Sequence, residues 1–170
     1  ISQDEAPSHD AWLSAREAQV LARLSVAKRR RDWRLGRWAA KEVLRWWSLA
    51  AGQPAPDRER IEILAADDGA PEAFVAGKPL PLSLSLSHSQ DTAMALVGRR
   101  EPALGCDLEQ VAGRGERFAA DYFTVEEQGR VEELPPADRA RAITVIWSAK
   151  ESALKALRVG LTRDTREVLV

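Results

Sequence analysis

A chain of 170 residues that is 45% hydrophobic and 30% charged suits one domain, or two small halves sharing a core, and is too apolar for a disordered segment. Its net charge of −1 provides no basic field for bulk nucleic-acid binding, and the single cysteine, Cys106, excludes an internal disulfide and fits a reducing cytoplasm. No apolar run is long enough to span a bilayer, and no signal-peptide pattern opens the chain, which begins at Ile1 and reads as a trimmed or excised piece.

In chain order, Ser14 to Arg31 has helical periodicity, with Ala18, Val20, Leu21, Leu24 and Val26 as its apolar positions. A second helix is expected from about Leu35 to Leu49, because Leu35, Trp38, Ala39, Val43, Trp46 and Trp47 recur near helical period, and "AGQPAPD" ends it. "RIEILA" reads as a short strand and "DDGAPEAFVAGKPLP" as a turn-rich connection. "LSLSLS" (residues 82–87) alternates strictly, as a half-buried strand does, and "DTAMALVG" and "PALGCDLE" follow as two more strands. Arg114 to Glu133 reads as helix in two pieces around "YFT", with Thr124 capping the second. Ala137 to Arg158 is a long helix and "TREVLV" a final strand. The expected class is α+β, as two similar halves (1–97 and 98–170), each a long helix on a small, mainly antiparallel sheet.

Two stretches carry chemistry. In "LGCDLEQ", Asp107 and Glu109 are two apart, so in an extended chain they point the same way. Two like charges side by side either both face water or share a cation. In "WSAKESALKA", Trp147, Glu151 and Lys155 are four apart and stack along one helix face. Alone, that is an ordinary surface pair of Glu and Lys, worth roughly 0.3–0.5 kcal/mol. Converging, Asp107, Glu109 and Glu151 make an oxygen site suited to Mg²⁺ and a phosphate substrate, with Lys155 one turn further on for the phosphate. Further cations and polar groups for an anion are Arg37 and Lys41, four apart near the expected helix start, Lys78 on the tight turn "GKP", and Ser87 and His88 in "SHS". His9, in a polar N-terminal stretch, has no role.

The motifs "GCDLE", "WSAKESALKA", "GKP", "SLSHS" and "DWRLGRWAAK" stand in the order and spacing of the 4′-phosphopantetheinyl transferases. The resemblance is to the larger, pseudodimeric class that activates peptide and polyketide synthases, and covers the chain from about Trp12 onward. It implies coenzyme A in the cleft between two α+β halves and Mg²⁺-dependent transfer of phosphopantetheine to a serine of an acyl or peptidyl carrier protein, releasing adenosine 3′,5′-bisphosphate. By motif, Asp107, Glu109 and Glu151 resemble the metal ligands and Lys155 the lysine that holds the pyrophosphate. The same resemblance implies that His88 is a second phosphate contact and that Lys41, Lys78 and Arg37 serve the nucleotide phosphates. Glu127 in "YFTVEE" fits a further glutamate near the site. The general base is open between Glu151 and a metal-bound water relaying to a carboxylate. A carrier would dock on Arg114 to Arg130, where Arg114, Arg117 and Arg130 mix with Phe118, Tyr122 and Phe123; these aromatics either form that surface or pack inward. Expected, then, is a cytoplasmic monomer, or one domain of a longer synthase, with no membrane or nucleic-acid partner. The rival from another class is a non-enzymatic module whose basic helix 28–41 contacts nucleic acid or an acidic partner.

Overall fold

The computed structural model describes residues 1–114 and 116–170; Gly115 and the side chain of Glu116 lie outside the described residues. Helix α1 (Ala15–Ala22) starts at Ser14, whose side chain accepts from the Glu17 N–H while Glu17 reaches back to the Ser14 N–H. The expected run to Arg31 breaks here, because Arg30 donates to the carbonyls of Leu21 and Leu24 and so satisfies the end of α1. Helix α2 then runs unbroken over Ala27–Ala50, 24 residues, rather than starting at Leu35. Good helix formers carry it through Gly36, which alone does not stop a helix. Arg37 and Lys41 therefore lie in the helix interior, away from any N-terminal dipole.

Strands β1 (Ile61–Ala65), β2 (Pro71–Val75) and β3 (Lys78–Pro79) form one antiparallel sheet in that order. The connection after "RIEILA" is thus itself mostly strand. Between β2 and β3, Ala76 and Gly77 both have positive φ, the geometry of a two-residue hairpin turn that puts Lys78 at a rigid tip. Strands β4 (Leu82–Ser89) and β5 (Thr92–Arg99) form a second antiparallel pair, in register from Leu82 opposite Arg99 to Ser89 opposite Thr92. The core joins α2 to both sheets: Ala40 and Leu44 pack with Ile61, Ile63, Ala73 and Leu84.

Helices α3 (Glu116–Tyr122), α4 (Val125–Glu132) and α5 (Pro136–Ala156) follow, with the Thr124 side chain capping α4 as expected. Two expected strands are absent among the described residues. "TREVLV" contains a 3₁₀ turn over Thr165–Glu167. Residues 103–108 join no ladder, and two of their N–H groups are bonded to side chains instead. The N–H groups of Cys106 and Leu108 donate to Ser85 Oγ (3.0 Å) and Ser87 Oγ (3.1 Å) of β4. The serine face of β4 is thereby covered, so the strand is buried on both sides rather than on one. The class is α+β, with both sheets between Ile61 and Arg99 and α3 to α5 beyond them.

One construction occurs twice. In the first copy the capping-box Glu17 is fully buried, lies 2.5 Å from Lys41 Nζ and accepts the Ile63 N–H; Lys41 also donates to the carbonyls of Trp12 and Arg58. In the second, the capping-box Glu127 lies 2.9 Å from Lys150 Nζ and accepts the Val170 N–H; Lys150 also donates to the carbonyls of Thr165 and Val168. The local sequences match, "WAAKE" (Trp38 to Glu42) on α2 and "WSAKE" (Trp147 to Glu151) on α5.

Candidate active site

The "GCDLE" segment approaches α5 closely because residue 105 is glycine. A Cβ there would stand 1.9 Å from the Ser152 carbonyl oxygen and 2.7 Å from the Ala156 nitrogen. Ser148 Oγ anchors the segment further by donating to the Asp107 carbonyl. Asp107 and Glu109 then face α5 together, as their spacing predicts. Asp107 Oδ1 accepts from Lys155 Nζ (2.7 Å) and from Ser87 Oγ (2.9 Å), while Glu109 accepts from Trp147 Nε1 (3.1 Å) and pairs with Arg114 (2.9 Å). Ser87 uses its full capacity, donating to Asp107 and accepting from Leu108 and Lys155.

Glu151, between Trp147 and Lys155 on the same face, has no hydrogen-bond or ion-pair partner among the described residues. Burial pushes its carboxyl up, Lys155 pulls it down, and Asp107 and Glu109 push it up again. Its counterpart in the repeated construction, Glu42, is instead held by Arg58, with Nε 2.6 Å away. Among the described residues no three acidic, histidine or cysteine side chains converge closely enough to hold a metal, because Lys155 and Arg114 occupy the acids. The donor set nonetheless fits a hard divalent cation. Among the described residues Asp107 Oδ2 is buried without a partner, and three carboxylates within electrostatic reach of one another favour a shared positive charge.

A cavity of about 1130 Å³ lies beside this group, walled by α2, the turn from β1 to β2, β4, residues 100–104 and the end of α5. Lys155 lines it and is also bonded to Asp107, so it joins cavity and carboxylates; the carboxylates themselves stand behind it. His88 and Arg37 line it as well, whereas Ser87 lies behind the wall on Asp107.

Three expected site residues are placed elsewhere. Lys41 is fully buried, and its three ammonium donors are taken by Glu17 and two carbonyls, which leaves none for a nucleotide phosphate. Lys78 is exposed at its hairpin tip and outside the cavity lining. Glu127 is 2% exposed, and its carboxylate is filled by Lys150 and the N–H groups of Thr124 and Val170. Burial alone would raise its pKa, but these partners outweigh it and hold the group below the ordinary carboxylate range. Its spacing to Trp147 reflects the ion pair with Lys150. Sequence reasoning passed over Lys150 and Glu17, and gave Arg114 to the docking surface rather than to Glu109. The signal for the first two was a Ser or Thr capping box set ahead of each "WxAKE". Of the aromatics of the expected docking surface, Phe123 packs inward at 1% exposure, whereas Phe118 is half-buried and Tyr122 stays exposed, both lying edge-on to Trp147, with Arg114 over Phe118.

The basic helix is partly engaged within the chain, with Arg29 and Arg31 exposed. Lys28 pairs with Asp32, Arg30 caps α1, Arg34 donates to the carbonyls of Pro7 and His9, and Lys41 is buried. Among the described residues no helix is long and apolar enough to cross a membrane.

An acid-lined helix face, a lysine bridging it to a large cavity and a close, glycine-dependent segment contact thus lie together. Residues 103–170, which contain "GCDLE" and α5, match the model of the 4′-phosphopantetheinyl transferase superfamily (ACPS). The chain matches no curated protein.

Proposed function

We propose that the protein transfers 4′-phosphopantetheine from coenzyme A to a serine hydroxyl of an acyl or peptidyl carrier protein, in a Mg²⁺-dependent reaction that releases adenosine 3′,5′-bisphosphate. The observation that carries this reading is Lys155, which reaches from the cavity wall to Asp107 while Glu151 stands unpaired one turn before it. Coenzyme A would occupy the cavity, with its pyrophosphate toward Lys155 and His88 and its nucleotide along α2. The first half of the chain (1–97) supplies most of that wall, and the second (98–170) supplies the reacting groups. The repeated capping box, buried lysine and "WxAKE" run support an origin of the two halves by duplication, with one centre kept because Glu151 is free and Glu42 is not.

Asp107, Glu109 and Glu151 would hold Mg²⁺, which supplies charge neutralisation to the pyrophosphate. The chain's own groups do the rest. Lys155 turns from Asp107 to the phosphate oxygens and stabilises the charge that grows on the leaving nucleotide phosphate. The carrier serine Oγ forms a bond to the phosphorus bearing pantetheine as the bond to the nucleotide phosphate breaks. The hydroxyl proton passes to the Glu151 carboxylate, which has no hydrogen-bond or ion-pair partner among the described residues to compete for it. His88, exposed at the cavity edge, adds a hydrogen bond to the phosphate.

The test is direct: incubation with coenzyme A, Mg²⁺ and an apo carrier protein, read by intact mass. A gain of one phosphopantetheine group on the carrier serine is expected. No gain across peptide, polyketide and fatty-acid carriers would reject the reading.

A further inference from the structure

The wall of the cavity formed by α2 is a single stripe, Lys28, Arg29, Asp32, Trp33, Gly36 and Arg37, facing the cavity at helical spacing. Asp32 is the unusual member. Its side chain is 8% exposed, and its Oδ2 is satisfied by Lys28 Nζ at 2.7 Å. Its Oδ1 is buried and has no donor among the described residues. A buried carboxylate oxygen without a donor is costly, and a ligand that brings an N–H or O–H to it recovers that cost.

The neighbours indicate which kind of donor. The Arg37 guanidinium carbon lies 4.7 Å from the centre of the Trp33 ring, a flat aromatic and cationic platform. Gly36, between them on the stripe, is buried, and an added Cβ would meet nothing within 4 Å, so the helix leaves open space at this point of the wall. A planar heteroaromatic base that carries an exocyclic amine fits this combination: a π face for the platform, a donor for Oδ1, and room beside Gly36.

We propose that Asp32 is a specificity-determining residue that accepts a hydrogen bond from the exocyclic amino group of the adenine base, with Trp33 and Arg37 as the stacking surface. This rests on the coenzyme A reading, since it assigns one end of that ligand. The site thereby selects adenine over a base with a carbonyl at the same position, because the carbonyl would set an acceptor against an acceptor.

Titration calorimetry with adenosine 3′,5′-bisphosphate and inosine 3′,5′-bisphosphate tests this without the carrier. Wild-type protein is expected to prefer the adenosine form by about tenfold or more. Asp32→Ala should abolish the preference. Asp32→Asn, near-isosteric and less prone to misfolding, should abolish or reverse it, because its amide can turn a donor toward the inosine carbonyl. Lys28→Ala, which leaves Oδ1 in place, should keep it. Equal affinities for the two nucleotides in wild-type protein would overturn the proposal and move the donor to a sugar hydroxyl. So would an undiminished preference in folded Asp32→Asn. If wild-type protein still modifies the apo carrier in either case, this inference fails alone. If it binds neither nucleotide and modifies no carrier, the coenzyme reading has failed and takes this inference with it.

Discussion

Replacing Lys41 by Met separates two roles that the sequence alone left fused. The ammonium is fully buried against Glu17 at 2.5 Å, with the Trp12 and Arg58 carbonyls completing its shell. Removing one partner of a buried pair leaves the other charge uncompensated and costs about 3–5 kcal/mol. For a chain of this size each kcal/mol shifts the melting temperature by about 2–4 °C, so Lys41→Met should lower it by roughly 6–20 °C. Glu17→Gln added to Lys41→Met removes the stranded carboxylate and keeps an acceptor for the Ile63 N–H, so the double variant should regain much of the loss. Thermal melts by circular dichroism read the stability, and calorimetry well below the transition reads coenzyme A affinity, which should be unchanged. A melting temperature at the wild-type value together with weakened coenzyme binding would refute the reasoning, because the lysine would then face the ligand.

Other perturbations have equally definite outcomes. Gly105→Ala should cost about 1–3 kcal/mol or more through overpacking and should depress transfer, since the new methyl meets the Ser152 carbonyl and forces the Asp107 segment off α5; melts and initial rates check both. Gly36→Ala should do the reverse to stability, adding about 0.5–1 kcal/mol in the helix interior, while weakening nucleotide binding by filling open cavity wall. The Asp68 carboxyl is held down to about 2, first by its hydrogen bonds from Arg158 and then by the Ala70 N–H. Because the folded value lies below the ordinary 3.8, its contribution is full above that pH and is lost as pH falls toward about 2. Asp68→Asn should therefore flatten the fall in melting temperature across that window, and an unchanged acid limb would contradict the assignment.

Where local rules decided the outcome, the sequence was readable. Strict alternation in "LSLSLS" located β4, and Thr124 with Glu127 three residues on marked the start of α4. Asp107 and Glu109 do face α5, as period two requires. The failures lie where a distant partner decided. Residues 103–108 have the pattern of a strand, yet serine hydroxyls of β4 replace the backbone ladder, and no periodicity distinguishes the two. Lys41 stood at a basic position of the motif, but its environment is set by Glu17 on another helix. Glu127 kept a suggestive distance from Trp147 because its partner Lys150 is on α5. β2 was hidden by Pro71 at its start and the Ala76–Gly77 turn at its end.

The central claim is that transfer depends on the unpaired glutamate of α5 and not on the buried one of α4. Single-turnover transfer to an apo carrier, followed by intact mass with coenzyme A and Mg²⁺ in excess, compares Glu151→Gln with Glu127→Gln at a temperature where both remain folded. The account predicts that Glu151→Gln loses transfer by 10²-fold or more, the usual order for a general base, while Glu127→Gln keeps a near wild-type rate per folded molecule and loses stability instead. A wild-type rate in Glu151→Gln, or a matching loss in folded Glu127→Gln, would contradict it.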